Sequence, residues 1–370
     1  MESLIPTVCA RGKDMIYKGD ALEYIESTPG ILLTILDDRV QILRKSMEML
    51  REKPVSAIYL AGSGSSYHAA VAAAPFLKKM LGVRVFPVHP AAFLGEEALW
   101  TGESLVLGIS QQGTSMSVIR ALDKAKEHGL STISVTGEYH TEIVRHADAN
   151  IYVECGVEDA GATTKGYTAT VFTLMLLGIS LAKEQGKLSA KESLRYLDRM
   201  TAVVQNMEAV LNVGRDFCVR TAKILRDSKD LILISGEALR SSLLEGVLKF
   251  SECCRFPVRG FEADEFMHGM YNAVTDDTDF LYLFPEEKEA RMQMEKLFVY
   301  YERQGHRQFA INRQDPGELF MFLGDPDFSM LEQMLPQQML FVLTSRERGI
   351  DLNVPKDPDF HKKMGSKKER

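Results

Sequence analysis

An α/β fold of two tandem three-layer αβα sandwiches, each with a parallel sheet, is predicted by three observations. From Val55 onward, short apolar runs alternate with stretches that favour helix, which is the pattern of a parallel sheet covered on both faces. The pattern then recurs in the second half of the chain, the mark of an internal duplication. Finally, 370 residues with 45% apolar and 26% charged content are enough for about two globular cores.

These observations divide the chain into an N-terminal helical segment (1–50), a first sandwich (51–190), a second sandwich (191–345) and a tail (346–370). Within the first segment, residues 31–49 carry apolar side chains at helical spacing with charges between them. Strands are predicted at 57–61, 83–88, 105–109, 132–135 and 151–153. The glycine- and threonine-rich stretch 160–166 opens a long apolar helix, 167–183. Polar residues 186–189 begin a linker, and 193–213 reads as helix. In the second unit, 231–234 matches 58–61, Phe256-Pro257-Val258 repeats Phe86-Pro87-Val88, 280–284 falls where 106–110 would, and 309–311 where 133–135 would.

Two strand-to-helix junctions carry the functional signal: Gly62-Ser63-Gly64-Ser65-Ser66 and Ser110-Gln111-Gln112-Gly113-Thr114-Ser115. Glycine lets the backbone approach a ligand, and a helix start offers unpaired N–H groups and a positive dipole end. Hydroxyls add donors without bulk, so the pair implies a phosphate on a small molecule. Neither loop has the lysine of a nucleoside-triphosphatase loop. Tyr67 stands where the dinucleotide fingerprint needs its third glycine. The counterpart in the second half is Phe284-Pro285-Glu286-Glu287, which cannot hold a phosphate, so anion binding falls to the first half.

The second half offers titratable groups instead. Glu245, Lys249 and Glu252 are spaced i, i+4, i+7 and share one helix face among apolar neighbours. Glu265 and His268 follow after a strand and a loop. A carboxylate in such a setting can act as an acid or base, and a histidine can shuttle a proton. The same residues also fit a solvated helix face and a structural histidine.

A net charge of −7 argues against a nucleic-acid or membrane surface. Five cysteines without framework spacing point to reduced thiols in a cytoplasm. No histidine or cysteine cluster has metal-ligand spacing, so neither a metal nor a cofactor is expected. The first 20 residues lack the apolar core of a signal peptide, and no apolar run is expected to reach membrane-spanning length.

Taken together, these motifs resemble the double sugar-isomerase-domain (SIS) family, over about residues 35–345. That family includes the isomerase half of glucosamine-6-phosphate synthase and stand-alone fructosamine-6-phosphate deglycases. Ser63-Gly64-Ser65-Ser66-Tyr67 is similar to the family's Cys-Gly-Thr-Ser-Tyr loop, and Ser110-Gln111-Gln112-Gly113-Thr114-Ser115 to its Ser-Gln-Ser-Gly-Glu-Thr cradle. Gly161-Ala162-Thr163-Thr164-Lys165 resembles its Val-Ala-Ser-Thr-Lys turn. Leu244-Glu245-Gly246-Val247-Leu248-Lys249 with Glu252, followed by residues 265–269, resembles its Leu-Glu-Gly-Ala-Leu-Lys helix and His-Gly loop.

The resemblance implies Glu252 as the base that moves a proton between sugar carbons, with His268 assisting at the ring oxygen. It implies Ser66, Ser110, Gln111, Gln112, Ser115, Gly161, Ala162, Thr163 and Lys249 as substrate contacts, and a homodimer in which the histidine comes from the neighbouring subunit. Glu245 is a further candidate, expected to pair with Lys249.

The chain departs from the family pattern in three ways. Gln112 and Ser115 replace a serine and a threonine of the cradle. None of the first 50 residues resembles the synthase's glutaminase domain, so glutamine is not expected as the nitrogen source. The synthase's C-terminal Schiff-base lysine aligns with Phe360 when Pro355 is matched and with Lys363 when Pro358 is matched. The lysine-rich end itself reads as a solvated tail.

The expected activity is at C1–C2 of a 6-phosphorylated amino sugar or sugar–amine conjugate. Deglycation of a fructosamine 6-phosphate is favoured over glutamine-independent aldose–ketose isomerisation with amine exchange, the reaction of an isomerase/aminotransferase. A sugar-phosphate sensor is the rival from another class, although the first 50 residues show no DNA-binding helix-turn-helix.

Overall fold

The computed structural model describes residues 18–368, except 52, 96, 97, 99 and 314–319. Residues 1–17, with Cys9, and the final Glu369 and Arg370 lie outside the described residues.

The chain opens with α1 (Ala21–Leu50), longer than the predicted 31–49. The Asp20 carboxylate accepts from the Leu22 N–H at 2.8 Å and starts the helix early. Ile25, Leu32 and Ile35 then bury one face completely.

Alternating elements follow: β1 (Ala57–Ala61), α2 (Ser65–Leu81), β2 (Arg84–Val88), α3 (Pro90–Leu94), β3 (Ser104–Ile109), α4 (Met116–Glu127), β4 (Ser131–Thr136) and β5 (Ala149–Tyr152). Helices α5 (Lys165–Glu184) and α6 (Ala190–Leu225) lead to the second unit. That unit comprises β6 (Asp230–Ser235), α7 (Arg240–Lys249), β7 (Val258–Glu262), α8 (Ala263–Met267), β8 (Thr278–Leu283), α9 (Lys288–Glu302), β9 (Gln308–Ile311) and α10 (Ser329–Glu347). A short helix, α11 (Phe360–Met364), lies in the tail. The expected linker is only a tight turn, because Ser189 and Glu192 form a capping box that starts α6 at once.

Both sheets are parallel, in the orders β2-β1-β3-β4-β5 and β7-β6-β8-β9. Strand residues alternate between two buried faces. Ile58 and Leu60 join Leu231 and Leu233 in one core shared by the two halves. Ala57, Tyr59 and Ala61 pack on the outer side of the first sheet, and Ile232 and Ile234 on the outer side of the second. Two-sided burial explains why the strands read as continuous apolar runs.

Strand pairing tests the internal repeat residue by residue. Ala61 pairs with Gly108 and Ile234 with Tyr282, so 280–284 is indeed equivalent to 106–110. Leu107 pairs with Ile133 and Leu281 with Phe309, which aligns 309–311 with 133–135. The Phe-Pro-Val echo fails this test. Val88 pairs with Ala61, whereas the residue opposite Ile234 is Phe261, not Val258. Phe256-Pro257-Val258 leads into β7, while Phe86-Pro87-Val88 ends β2.

One further expectation needs correction. Helix α5 is long and apolar enough to cross a membrane, but 94% of its apolar window is buried inside the protein. A helix enclosed on every side is apolar all round, and α5 lies against α1 and α2 in the shared core.

Candidate active site

The two predicted loops lie at the C-terminal ends of the neighbouring strands β1 and β3. Here the strand order reverses, and open parallel sheets bind ligands in the crevice this leaves. A Cβ at Gly62 would lie 2.8 Å from the Ser66 backbone, and Gly64 has φ +56°. At Gly113, φ is +64° and a Cβ would run into the Thr141 hydroxyl. Each loop therefore needs its glycines to turn.

Ser110 is only 7% exposed, yet its hydroxyl has no hydrogen-bond partner among the described residues. The oxygen itself is not sealed from solvent, so it is open to a hydrogen bond from the crevice side. Ser66 is half-buried in the first turn of α2, and Ser115 stands at the N-cap position of α4 without capping it through its side chain, its hydroxyl lying 3.2 Å from that of Ser117. Gln111 behaves differently. Its side-chain amide donates to Cys155 Sγ at 3.0 Å and accepts from Thr170 Oγ1 at 3.3 Å. This side chain braces the loop against α5.

In the third motif, the Glu158 carboxylate accepts from Thr164 N and Oγ1, Lys165 N and Gly166 N at 2.7–3.1 Å. The protein's own carboxylate thus fills the anion-binding start of α5. Gly161, Ala162 and Thr163 lie just before it. Gly161 is dictated by the tail, since a Cβ there would overlap the Leu352 carbonyl. Ala162 is buried and Thr163 half-buried.

The second half reaches this crevice through α7. Glu245, 1% exposed, accepts from Ser65 Oγ at 2.8 Å and lies 2.7 Å from His68 Nδ1. Gly64 faces Leu248 across the same contact. Glu245 also lies 4.0 Å from Lys249 Nζ, as expected. Its closer partners are Ser65 and His68, which lie on α2 in the first half. A π-turn, Phe250–Cys254, then carries Glu252, a device often found at functional sites. Lys249 Nζ donates to Glu252 Oε2 at 2.9 Å, and the Glu252 side chain remains 43% exposed. Burial works against the charge on Lys249. The Glu252 and Glu245 carboxylates overcome it, holding the ammonium above the ordinary lysine range.

No hydrogen bond joins His268 to Glu252 among the described residues. The imidazole is 72% exposed and lies 3.9 Å from Asp264 on its own helix. Lys363 pairs with Asp359 at 3.8 Å on an exposed turn. The lysine-rich end is not a free tail: residues 366–368 dock on the 114–116 segment. His68 was not anticipated, although it stands one turn from Ser65, the spacing at which helical side chains can share a partner.

An α/β fold of two parallel sheets, each covered on both faces, with a hydroxyl-lined crevice at a strand switch defines the general class. More particularly, the chain belongs to the SIS-domain family, with residues 49–180 matching the SIS domain. A structure from Clostridium difficile 630, provisionally described as a phosphosugar isomerase, is 29% identical with a TM-score of 0.86, covering 95% of this chain and all of that one. One from Salmonella typhimurium LT2, provisionally described as a sugar binding protein, is 32% identical with a TM-score of 0.79, covering 88% and 99%. The glutamine–fructose-6-phosphate aminotransferase (isomerizing) of Leifsonia xyli subsp. xyli is 25% identical over 314 residues, 82% of this chain and 51% of the relative. The chain thus spans about half the length of the curated relatives it matches.

Proposed function

We propose that this chain is a phosphosugar-transforming enzyme acting at C1–C2 of a 6-phosphorylated sugar–amine conjugate, and that it deglycates a fructosamine 6-phosphate. The observation that carries the reading is the Lys249–Glu252 pair, held by Glu245 against the first glycine–serine loop. A partly exposed carboxylate close to a hydroxyl-lined crevice suits proton transfer on a bound phosphosugar.

In this reading Glu252 removes a proton from C1 of the ketoamine and C2 regains one, giving an aldimine. Water then adds at C1 and the C–N bond breaks, releasing an aldose 6-phosphate and the free amine. The sequence needs no oxidant and no cofactor. Lys249 orients the carboxylate, while Ser66, Ser110, Gln112 and Ser115 hold the phosphate. His268 acts at the ring oxygen of the site on the partner subunit. Exposed Met267, Met270 and Tyr271 around it favour a face covered in a homodimer. Four buried free thiols suit a cytoplasmic setting.

The test is incubation of the purified protein with fructosamine 6-phosphates, measuring aldose phosphate and amine together. Amine release that Glu252→Gln slows by about 10²–10⁴ supports the reading. Aldose–ketose interconversion without amine release would favour the isomerase alternative, and binding without any turnover would favour a sensor.

A further inference from the structure

The C-terminal tail runs from Arg255, at the end of the π-turn that carries Glu252, to the 114–116 segment. At its start it is anchored by Asn353 Nδ2 donating to the Gly19 carbonyl at 3.1 Å and Arg255 Nη2 donating to the Val354 carbonyl at 3.1 Å. At its end it forms an antiparallel bridge, Ser115 to Lys367. The Lys368 N–H donates to the Thr114 carbonyl at 3.0 Å, and the Met116 N–H to the Ser366 carbonyl at 3.4 Å. Between these anchors, His361 Nδ1 lies 2.8 Å from Ser366 Oγ. Partial enclosure and the Lys367 ammonium lower the basicity of His361, and the Glu252 carboxylate acts in the opposite direction. The imidazole therefore feels both the base and the strap.

Side chains alternate along an extended segment, and the two strap lysines diverge accordingly. Lys368 Nζ is taken by Glu142 Oε1 at 2.6 Å. Lys367 Nζ points the other way and donates to Gln112 Oε1 at 3.2 Å. The two crevice loops consist of glycine, serine, threonine and glutamine alone. From the side chains of these two loops alone, a phosphate dianion would meet only neutral donors.

We propose that Lys367 is a further substrate-binding residue, supplied by the strap to meet the 6-phosphate held in the 110–115 loop. This rests on the phosphosugar reading above. On phosphate binding, the ammonium moves from Gln112 Oε1 to a phosphate oxygen, and Gln112 is released to donate its amide N–H to the same group. The strap thus adds charge to a cradle that has shape and hydrogen bonds but no cation of its own.

The experiment is calorimetric binding of fructose 6-phosphate and of fructose to wild type, Lys367→Ala and Lys367→Arg. A chain ending at Gly365 is measured alongside. The expected result is a rise in Kd of about tenfold for fructose 6-phosphate in Lys367→Ala and in the shortened chain, the low end for a charge-assisted bond because the residue is exposed. Affinity for fructose should be unchanged, and Lys367→Arg should recover most of the loss. Lys367→Ala binding fructose 6-phosphate as wild type does, in a protein where Ser110→Ala weakens it, would overturn the strap and leave the phosphosugar reading standing. Wild type that does not prefer fructose 6-phosphate to fructose would overturn both.

Discussion

The ends of β3 and β8 are equivalent by strand register, yet they face opposite tasks. After β3 the chain runs Ser110-Gln111-Gln112-Gly113-Thr114-Ser115, bends through a left-handed glycine and leaves the Ser110 hydroxyl open to the crevice. After β8 it runs Phe284-Pro285-Glu286-Glu287. There Pro285 packs on Gly236, and the Glu286 carboxylate accepts from Asn312 Nδ2 at 2.7 Å. One junction is open and lined with donors. The other is filled by a ring, and its carboxylate repels anions. In the proposed reading, the duplicated fold keeps one crevice for binding and closes the other, and the second half contributes through α7 and its π-turn.

The largest expected effect comes from damaging the open junction. Gly113→Ala places a Cβ against the Thr141 hydroxyl at a left-handed position. Strain and overlap together should cost about 2–5 kcal/mol, most of it felt as lost phosphosugar affinity, which calorimetry on the folded variant would show.

A second prediction concerns Glu332 on α10, a fully buried carboxylate of the second half. Burial raises its pKa to about 7, although Asn206 Nδ2 and the Leu323 N–H donate to it. A carboxyl with a raised native pKa binds a proton that the unfolded chain releases. Stability is therefore highest below the ordinary glutamate range and falls as pH rises towards about 7, by up to roughly 3 kcal/mol. Glu332→Gln should flatten that decline in thermal unfolding between pH 5 and 8, and it should leave turnover unchanged.

The closed junction should respond least. Gly236→Ala brings a Cβ to 2.9 Å from the Pro285 ring, an overpacking of about 1–3 kcal/mol. It should lower the melting temperature without altering phosphosugar affinity. An equal loss of affinity from Gly236→Ala and Gly113→Ala would remove the contrast between the two junctions.

Much of this contrast is legible in the sequence because it is written in local chemistry. Glycine and hydroxyl clusters after apolar runs mark the first junction, and phenylalanine–proline marks the second. The helix face of Glu245, Lys249 and Glu252 is equally visible, since i, i+4, i+7 spacing survives even a π-turn. What escaped is non-local. The bonds of Glu245 to Ser65 and His68 span the two halves, and no periodicity announces a contact of that kind. The docking of residues 366–368 has one antiparallel bridge and two lysine contacts, too short a stretch to carry an alternating pattern. The Phe-Pro-Val echo misled because equal tripeptides occupy different registers beside β1 and β6. Gln111 fits the expected motif, but its side chain turns towards Cys155 and Thr170 in the core.

The central claim is that the first half binds and the second half supplies the base. Its most direct test is to measure fructose 6-phosphate affinity and fructosamine 6-phosphate turnover side by side in Ser110→Ala and Glu252→Gln. Ser110→Ala should lose about 10- to 100-fold in affinity. Glu252→Gln should keep near wild-type affinity and lose about 10²–10⁴ in kcat. Wild-type turnover in Glu252→Gln, or wild-type affinity in Ser110→Ala, would contradict the division of labour between the halves.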